Sequence, residues 1–186
     1  NAATLTLASP AATNSLGANK ALIIDTTAPT VSSVSSTSDN GTYKIGDVIP
    51  ITVTFSEAVT VSGTPQLTLE TGTTDAVVDY ASGSGGTTLT FNYTVSSGHT
   101  SNDLDYASTS ALAPNNGGIG DGLNTATHTL PTPGATNSLG ANKALVIDGI
   151  VPATPTGLAA ADGNTTITLT WTANTDSDLA SYKVYG

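Results

Sequence analysis

The chain has 186 residues, no cysteine and no methionine, and its fourteen carboxylates, four lysines and absent arginine give a formal charge of −10. That length accommodates one or two domains with cores of their own, and the missing cysteines exclude a disulfide scaffold, a thiolate zinc site and a cysteine nucleophile. So acidic a chain is ill suited to gripping phosphates or anionic membranes, so nucleic acid is not expected as a partner, and cations are.

In chain order, residues 1–25 read as two strands, and Val31–Val34 reads as a third. Ile49, Ile51, Val53 and Phe55 then alternate with Pro50, Thr52 and Thr54, a period of two that puts one side on a core and the other in water. Gln66–Leu69 and Ala76–Tyr80 follow, and Leu89, Phe91, Tyr93 and Val95 repeat the longer alternation. A single helical turn is expected around Ser101–Ser108, and strands at Ala144–Ile147 and Ile167–Trp171. Asn40-Gly41, Gly63-Thr64-Pro65, Gly83–Gly86 and Asp162-Gly163 are the turn signals between them. Threonine and serine supply 54 residues, which favours pleated, half-exposed strands over helix. The expected fold is all-β, an antiparallel β-sandwich. No apolar run approaches the roughly 18 residues of a spanning helix, so no membrane insertion is expected, and any export leader is expected outside these residues.

An internal repeat sets the organisation. Asn1–Thr30 and Asn124–Ala153 match at twenty of thirty positions without a gap, at an offset of 123. The chain therefore samples a tandem array whose unit is one whole sandwich. The joints are expected at Asp25-Thr26-Thr27-Ala28-Pro29 and Asp148-Gly149-Ile150-Val151-Pro152, where proline stiffens the chain and donates to no ladder. On this reading 1–25 closes a preceding repeat, 29–148 is one full repeat, and 153–186 opens a different module.

Tyr43–Asp47, Val53–Glu57, Gly63–Leu69, Leu89–Val95 and Leu104-Asp105-Tyr106 resemble the bacterial Ig-like repeats of large surface proteins and adhesins. The resemblance covers nearly all of 29–148. Ile119–Asn124 departs from that family's Asp-x-x-Gly-Asn turn. Pro155–Leu158, Leu169-Thr170-Trp171 and Tyr182–Tyr185 are similar to the opening three strands of a fibronectin type III domain. The resemblances imply an Ig-like fold for 29–148 and a bacterial extracellular or cell-surface location.

Catalysis is not expected. His99 reads as a solvated loop residue, His128 as a packing histidine on the inward parity of Ala126 and Leu130, and neither belongs to a nucleophile elbow. Asp103 and Asp105 read as an N-cap and a structural turn beside a packed Tyr106. Metal binding is the chemistry left open. Calcium takes six to eight hard oxygens, and an Ig-like topology brings Asp25 of the entering linker and Glu57 of the loop after the second strand to one pole. At the next joint Asp148 is expected to meet Asp176 and Asp178. Related adhesin repeats stiffen such joints with calcium; the alternative is that these carboxylates cap turns or solvate the surface. The flanks suggest a partner as well. Leu5, Leu7, Leu22 and Ile24 on one side, and Ile167, Leu169 and Trp171 on the other, are apolar faces with unpaired edges that recruit strands. Copies of the chain, or neighbouring repeats, are the expected partners, with the first segment completing the last module of the next copy head to tail. The expected function is that of a stiff spacer in an extracellular surface or filament protein. An adhesin or carbohydrate-binding module, or an accessory domain of a secreted polysaccharide-degrading enzyme, is the competing reading.

Overall fold

The computed structural model describes residues 2–3, 6–175, 179 and 181–185. Strand outweighs helix by 42% to 4%, and the fold is an all-β sandwich. The strands are β1 (Val31–Ser36), β2 (Gly41–Lys44), β3 (Val48–Ser62), β4 (Gln66–Leu69), β5 (Ala76–Ser82), β6 (Gly86–Thr94), β7 (Thr100–Ser101), β8 (Leu112–Ala113), β9 (Gly118–Gly120), β10 (Leu145–Asp148), β11 (Thr156–Gly163) and β12 (Thr166–Thr172). The main antiparallel sheet runs β1-β3-β6-β5-β4-β8, with β9 on the far end of β3. A smaller sheet runs β2-β10-β7, in which β10 is parallel to β2 and antiparallel to β7.

The alternation read from the sequence makes the core. Ile49, Ile51 and Val53 of β3 lie opposite Tyr93, Phe91 and Leu89 of β6, and all six are buried. Each such side chain contributes roughly 1.5–3 kcal/mol on leaving water. Leu67, Leu69, Leu104, Tyr106 and Ile119 complete that wall, and Leu130, Leu139, Leu145 and Ile147 close it from the C-terminal side.

β3 is long because it serves two neighbours. Its first half pairs with β1 and β6; the register with β6 then breaks between Thr54 and Val59, and the far end pairs with β9. Bulges of this kind re-aim side chains at a sheet end, and here the break holds Glu57.

The helical turn expected around 101–108 does not form; Tyr106 bridges Leu69 there and the backbone bends. The helical turns are instead α1 (Leu16–Asn19) and α2 (Leu139–Asn142), one in each copy of the repeat, capped by Ser15 and Ser138 through bonds to Ala18 N and Ala141 N. A four-residue turn is too short to show a helical period.

The two copies share a conformation and differ in burial. Asn14 and Asn137 both take left-handed φ, 71° and 70°, as do Ala11 and Gly134 at 67° and 74°. The turn hydrogen bonds correspond one for one, from Ala12 N to Ser9 O and Ala135 N to Thr132 O through Lys20 N to Leu16 O and Lys143 N to Leu139 O. Yet Leu7, Leu16, Leu22 and Ile24 are 90%, 68%, 66% and 87% exposed, while Leu130, Leu139, Leu145 and Ile147 are 2%, 0%, 0% and 3% exposed. The strand expected near residue 22 exists in the second copy as β10. In the first copy the described residues form no ladder, because a strand needs a neighbour to bond to.

Beyond 148, β11 and β12 form an antiparallel hairpin whose turn is Asn164-Thr165, just past the expected Asp162-Gly163. Residues 181–185 join no ladder among the described residues, although Tyr182 packs edge-on to Trp171 at 5.2 Å. No helix among the described residues is long and apolar enough to cross a membrane.

Candidate metal centre at the entry joint

Three separate segments converge where the chain enters the sandwich. The linker is tied to the β3 break by Thr30 N to Ser56 Oγ at 3.0 Å and Ser56 N to Thr30 O at 2.8 Å. Buried Pro29 accepts from Thr127 N at 2.8 Å. These bonds hold Asp25 over Glu57. The third segment is the turn after β9, where Ala126 N bonds Ile119 O and Gly120 bridges Thr125, folding Asp121–Asn124 into a tight hairpin end. Gly122 takes φ 96° there, a left-handed conformation that glycine adopts without strain.

Asp121 organises that turn. Its Oδ1 accepts from Leu123 N and Asn124 N, each at 2.6 Å, and its Oδ2 from Asn124 Nδ2 at 3.2 Å. The Asn124 N–H, followed by that of Leu123, holds the Asp121 carboxyl below the usual carboxylate range. The Asn124 amide also donates to the Asp25 carbonyl at 3.3 Å, stitching turn to linker. Asp25 Oδ1 accepts from Thr27 N at 2.9 Å, and the Glu57 carboxylate makes no hydrogen bond among the described residues.

Asp25, Glu57 and Asp121 each present a carboxylate oxygen within 4.8 Å of the other two, and all three are half-buried. Oxygens bound to one calcium ion at about 2.4 Å lie no more than about 4.8 Å apart, and the three carboxylates meet that bound. The donor set is hard and anionic, and the one ion pair among the described residues, Lys44–Asp47, lies at the opposite pole. These residues fit an oxygen-preferring divalent cation.

Asp25 and Glu57 are thus brought together as the topology implied. Asp121 was missed; an Asp-Gly-x-Asn turn is a signal for carboxylate-to-backbone bonding, but nothing local shows that β9 pairs with the end of β3. At the exit joint Asp148 belongs to no such group among the described residues, and Asp176 and Asp178 lie outside them. Asp148 repeats the first joint's local bond, its Oδ1 accepting from Ile150 N at 3.2 Å as Asp25 accepts from Thr27. Of the apolar flank residues, Leu5 lies outside the described residues, Leu7, Leu22, Ile24, Ile167 and Leu169 are exposed, and Trp171 is half-buried.

His99 and Asp105 are tied into the fold by hydrogen bonds. His99 sits in a loop as expected, but half-buried and partnered instead of freely solvated. It stacks on Tyr93 at 5.7 Å, and its Nδ1 takes Ser96 N–H at 3.3 Å and the Tyr93 hydroxyl at 2.9 Å, which leaves the ring proton on Nε2. Asp105 caps no helix; it accepts from Tyr106 N and Gly134 N, both at 2.9 Å, clamping the second closing segment to the body. Tyr106 is buried as expected and donates to Pro131 O at 2.5 Å. No family model, curated protein or solved structure matches the chain.

Proposed function

We propose that the chain is a structural segment of an extracellular bacterial surface or filament protein, a stiff acidic spacer of tandem sandwich repeats whose entry joint is braced by calcium at Asp25, Glu57 and Asp121. The observation that carries this reading is the duplicated closing segment, which keeps one conformation whether its apolar face is covered or bare. Such a segment is specified by a repeat and reused by it. The ordered motifs that resemble bacterial Ig-like repeats support the same reading, as does the identical aspartate turn at both joints. The aromatic side chains of 29–148, Tyr43, Phe55, Tyr80, Phe91, Tyr93 and Tyr106, are all buried or packed against the core. That leaves no exposed aromatic row on which a sugar would stack, which weighs against a carbohydrate-binding module.

Bound calcium would supply charge neutralisation and a link between linker, β3 and the β9 turn. A ligand that binds only the folded form, at 100 times its dissociation constant, adds about 2.7 kcal/mol. Millimolar calcium should therefore raise the melting temperature relative to chelator, and small-angle scattering should show a narrower spread of shapes. An unchanged melt and unchanged scattering remove the ion from the reading. A protein of three tandem 29–148 units that scatters as a flexible coil and not as a rod refutes the spacer.

A further inference from the structure

The bare face of residues 1–25 has a visible complement. In the second copy, the side chains buried against the body are Ala126, Leu130, Ser138, Leu139, Leu145 and Ile147. The first copy repeats every one of them unchanged, as Ala3, Leu7, Ser15, Leu16, Leu22 and Ile24. The positions within 1–25 that differ correspond to 125, 128, 131, 132, 134 and 146, of which 128, 131 and 146 are half-buried and the others exposed. The polar contacts transfer too. Asn142 Nδ2 donates to Val34 O at 2.7 Å, Lys143 Nζ to Ser38 O at 2.8 Å, and Ala144 N to Asn40 Oδ1 at 3.0 Å. The matching residues are Asn19, Lys20 and Ala21; with no Val34 carbonyl in reach, Asn19 turns its amide back onto Ser15 O at 3.0 Å. Because the left-handed residues and the capped turn are already set, docking would order little further backbone, and preorganisation of this kind favours binding.

We propose that residues 1–25 are an interchangeable closing segment that docks into the 31–123 body of a second copy of this chain, in place of that copy's residues 124–148. The interface it would form is the one already present within the chain, which is why a second copy, and not the β11–β12 hairpin, is the occupant that fits. At position 128 the incoming segment brings Leu5 where the resident one has His128, whose Nε2 is buried without a partner. The equivalence ends at Asp25. The next resident residue is Gly149, whose missing Cβ would fall onto the Ser96 and His99 carbonyls, whereas the incoming chain has Thr26 there. The docked segment must peel away at that point. Residues 1–148 hold two closing segments and one body, so the resident segment gates the exchange, and weakening it releases head-to-tail association. This rests on the tandem-repeat part of the proposed function and not on calcium.

The test uses the full chain in chelator, so that a missing joint ion does not bear on the outcome. Leu139→Asp weakens the resident segment. The expected result is concentration-dependent association in sedimentation, absent from the Leu16→Asp/Leu139→Asp double variant. A synthetic 1–25 peptide should cap that association and bind within about tenfold of a 124–148 peptide, and the same peptide with Leu16→Asp should bind at least about a hundredfold more weakly. Where Leu139→Asp alone shows no cooperative melt, the readout is recovery of that melt on adding the 1–25 peptide. Closure by the 124–148 peptide only, or recovery with neither peptide, overturns the proposal. So does association that survives Leu16→Asp, or that is lost on Leu169→Asp, which would place the partner at the β11–β12 hairpin. A chain that scatters flexibly yet is closed by the 1–25 peptide would refute the spacer and leave this proposal standing.

Discussion

His128→Leu should stabilise the protein, and more so in mild acid than at neutral pH. Position 128 lies on the inward parity of Ala126 and Leu130, and the first copy has leucine at the matching place. The imidazole is half-buried, its Nε2 has no hydrogen-bond partner, and burial pushes its pKa below the ordinary value. A buried polar atom left unsatisfied costs about 1–3 kcal/mol, and one nitrogen of a half-exposed ring belongs at the low end, about 1 kcal/mol. The proton adds a second term. In the unfolded chain the ring titrates near the ordinary histidine value of about 6.5; in the folded chain it titrates lower. Between those two values the unfolded chain binds more protons, so this group's contribution is intact above pH 6.5 and is lost as the pH falls toward the folded value. Leucine removes that loss. Guanidinium denaturation of wild type and variant at pH 8 and pH 5 isolates the effect, because other groups titrate alike in both and cancel in the difference. The variant should gain about 1 kcal/mol at pH 8 and more at pH 5. An equal gain at both values would show that the ring is solvated in the fold, and a less stable variant would refute the packing argument.

Leu139→Ala should cost about 2–5 kcal/mol in chemical denaturation, whereas Leu16→Ala at the same place in the same turn should stay within about 0.5 kcal/mol in dilute solution. Equal effects would mean that 1–25 is covered in solution. Gly149→Thr should cost roughly 1–3 kcal/mol, because its Cβ would strike two backbone carbonyls of the 96–99 loop; an unchanged denaturation midpoint would show that the exit joint yields. Glu57→Gln should abolish most of any calcium-dependent rise in melting temperature while leaving the chelated melt nearly unchanged, and a calcium response that survives the change excludes Glu57 as a ligand.

The strands were legible where one face meets water and the other a core. Ile49 through Phe55 and Leu89 through Val95 show that alternation, and each apolar position read as inward is buried. Topology carried the reading as far as Asp25 and Glu57, because both flank elements whose direction follows from sandwich connectivity. Asp121 was out of reach, since its place depends on Val61 pairing with Ile119, 58 positions further along the chain. The contacts of His99 were hidden differently: its partner Tyr93 is close in sequence, but the loop that brings them together leaves no periodic mark. The Leu-Gly-Ala-Asn turns were invisible for another reason, being local but too short for a period, with only the preceding serine to mark them. The first closing segment is the instructive case. Its sequence specifies the conformation, and a neighbour decides whether that conformation becomes a strand.

β10 lies parallel to β2, and this has a mechanical consequence. The chain enters beside Ser56 and leaves beside Val48, at opposite ends of the first half of β3, about 26 Å apart at strand rise. Tension applied through Asp25 and Asp148 therefore runs along β1 and β10, not across them. The Leu145–Asp148 ladder to Gly41–Lys44 is loaded in shear, so its bonds share the force and fail together instead of unzipping from one end. Rupture under load is governed by the unfolding rate, and a ladder that must break as a unit raises that barrier. Pulling a single molecule from these two residues should give one abrupt high-force event, while pulling across the β11–β12 hairpin should peel it open at low force.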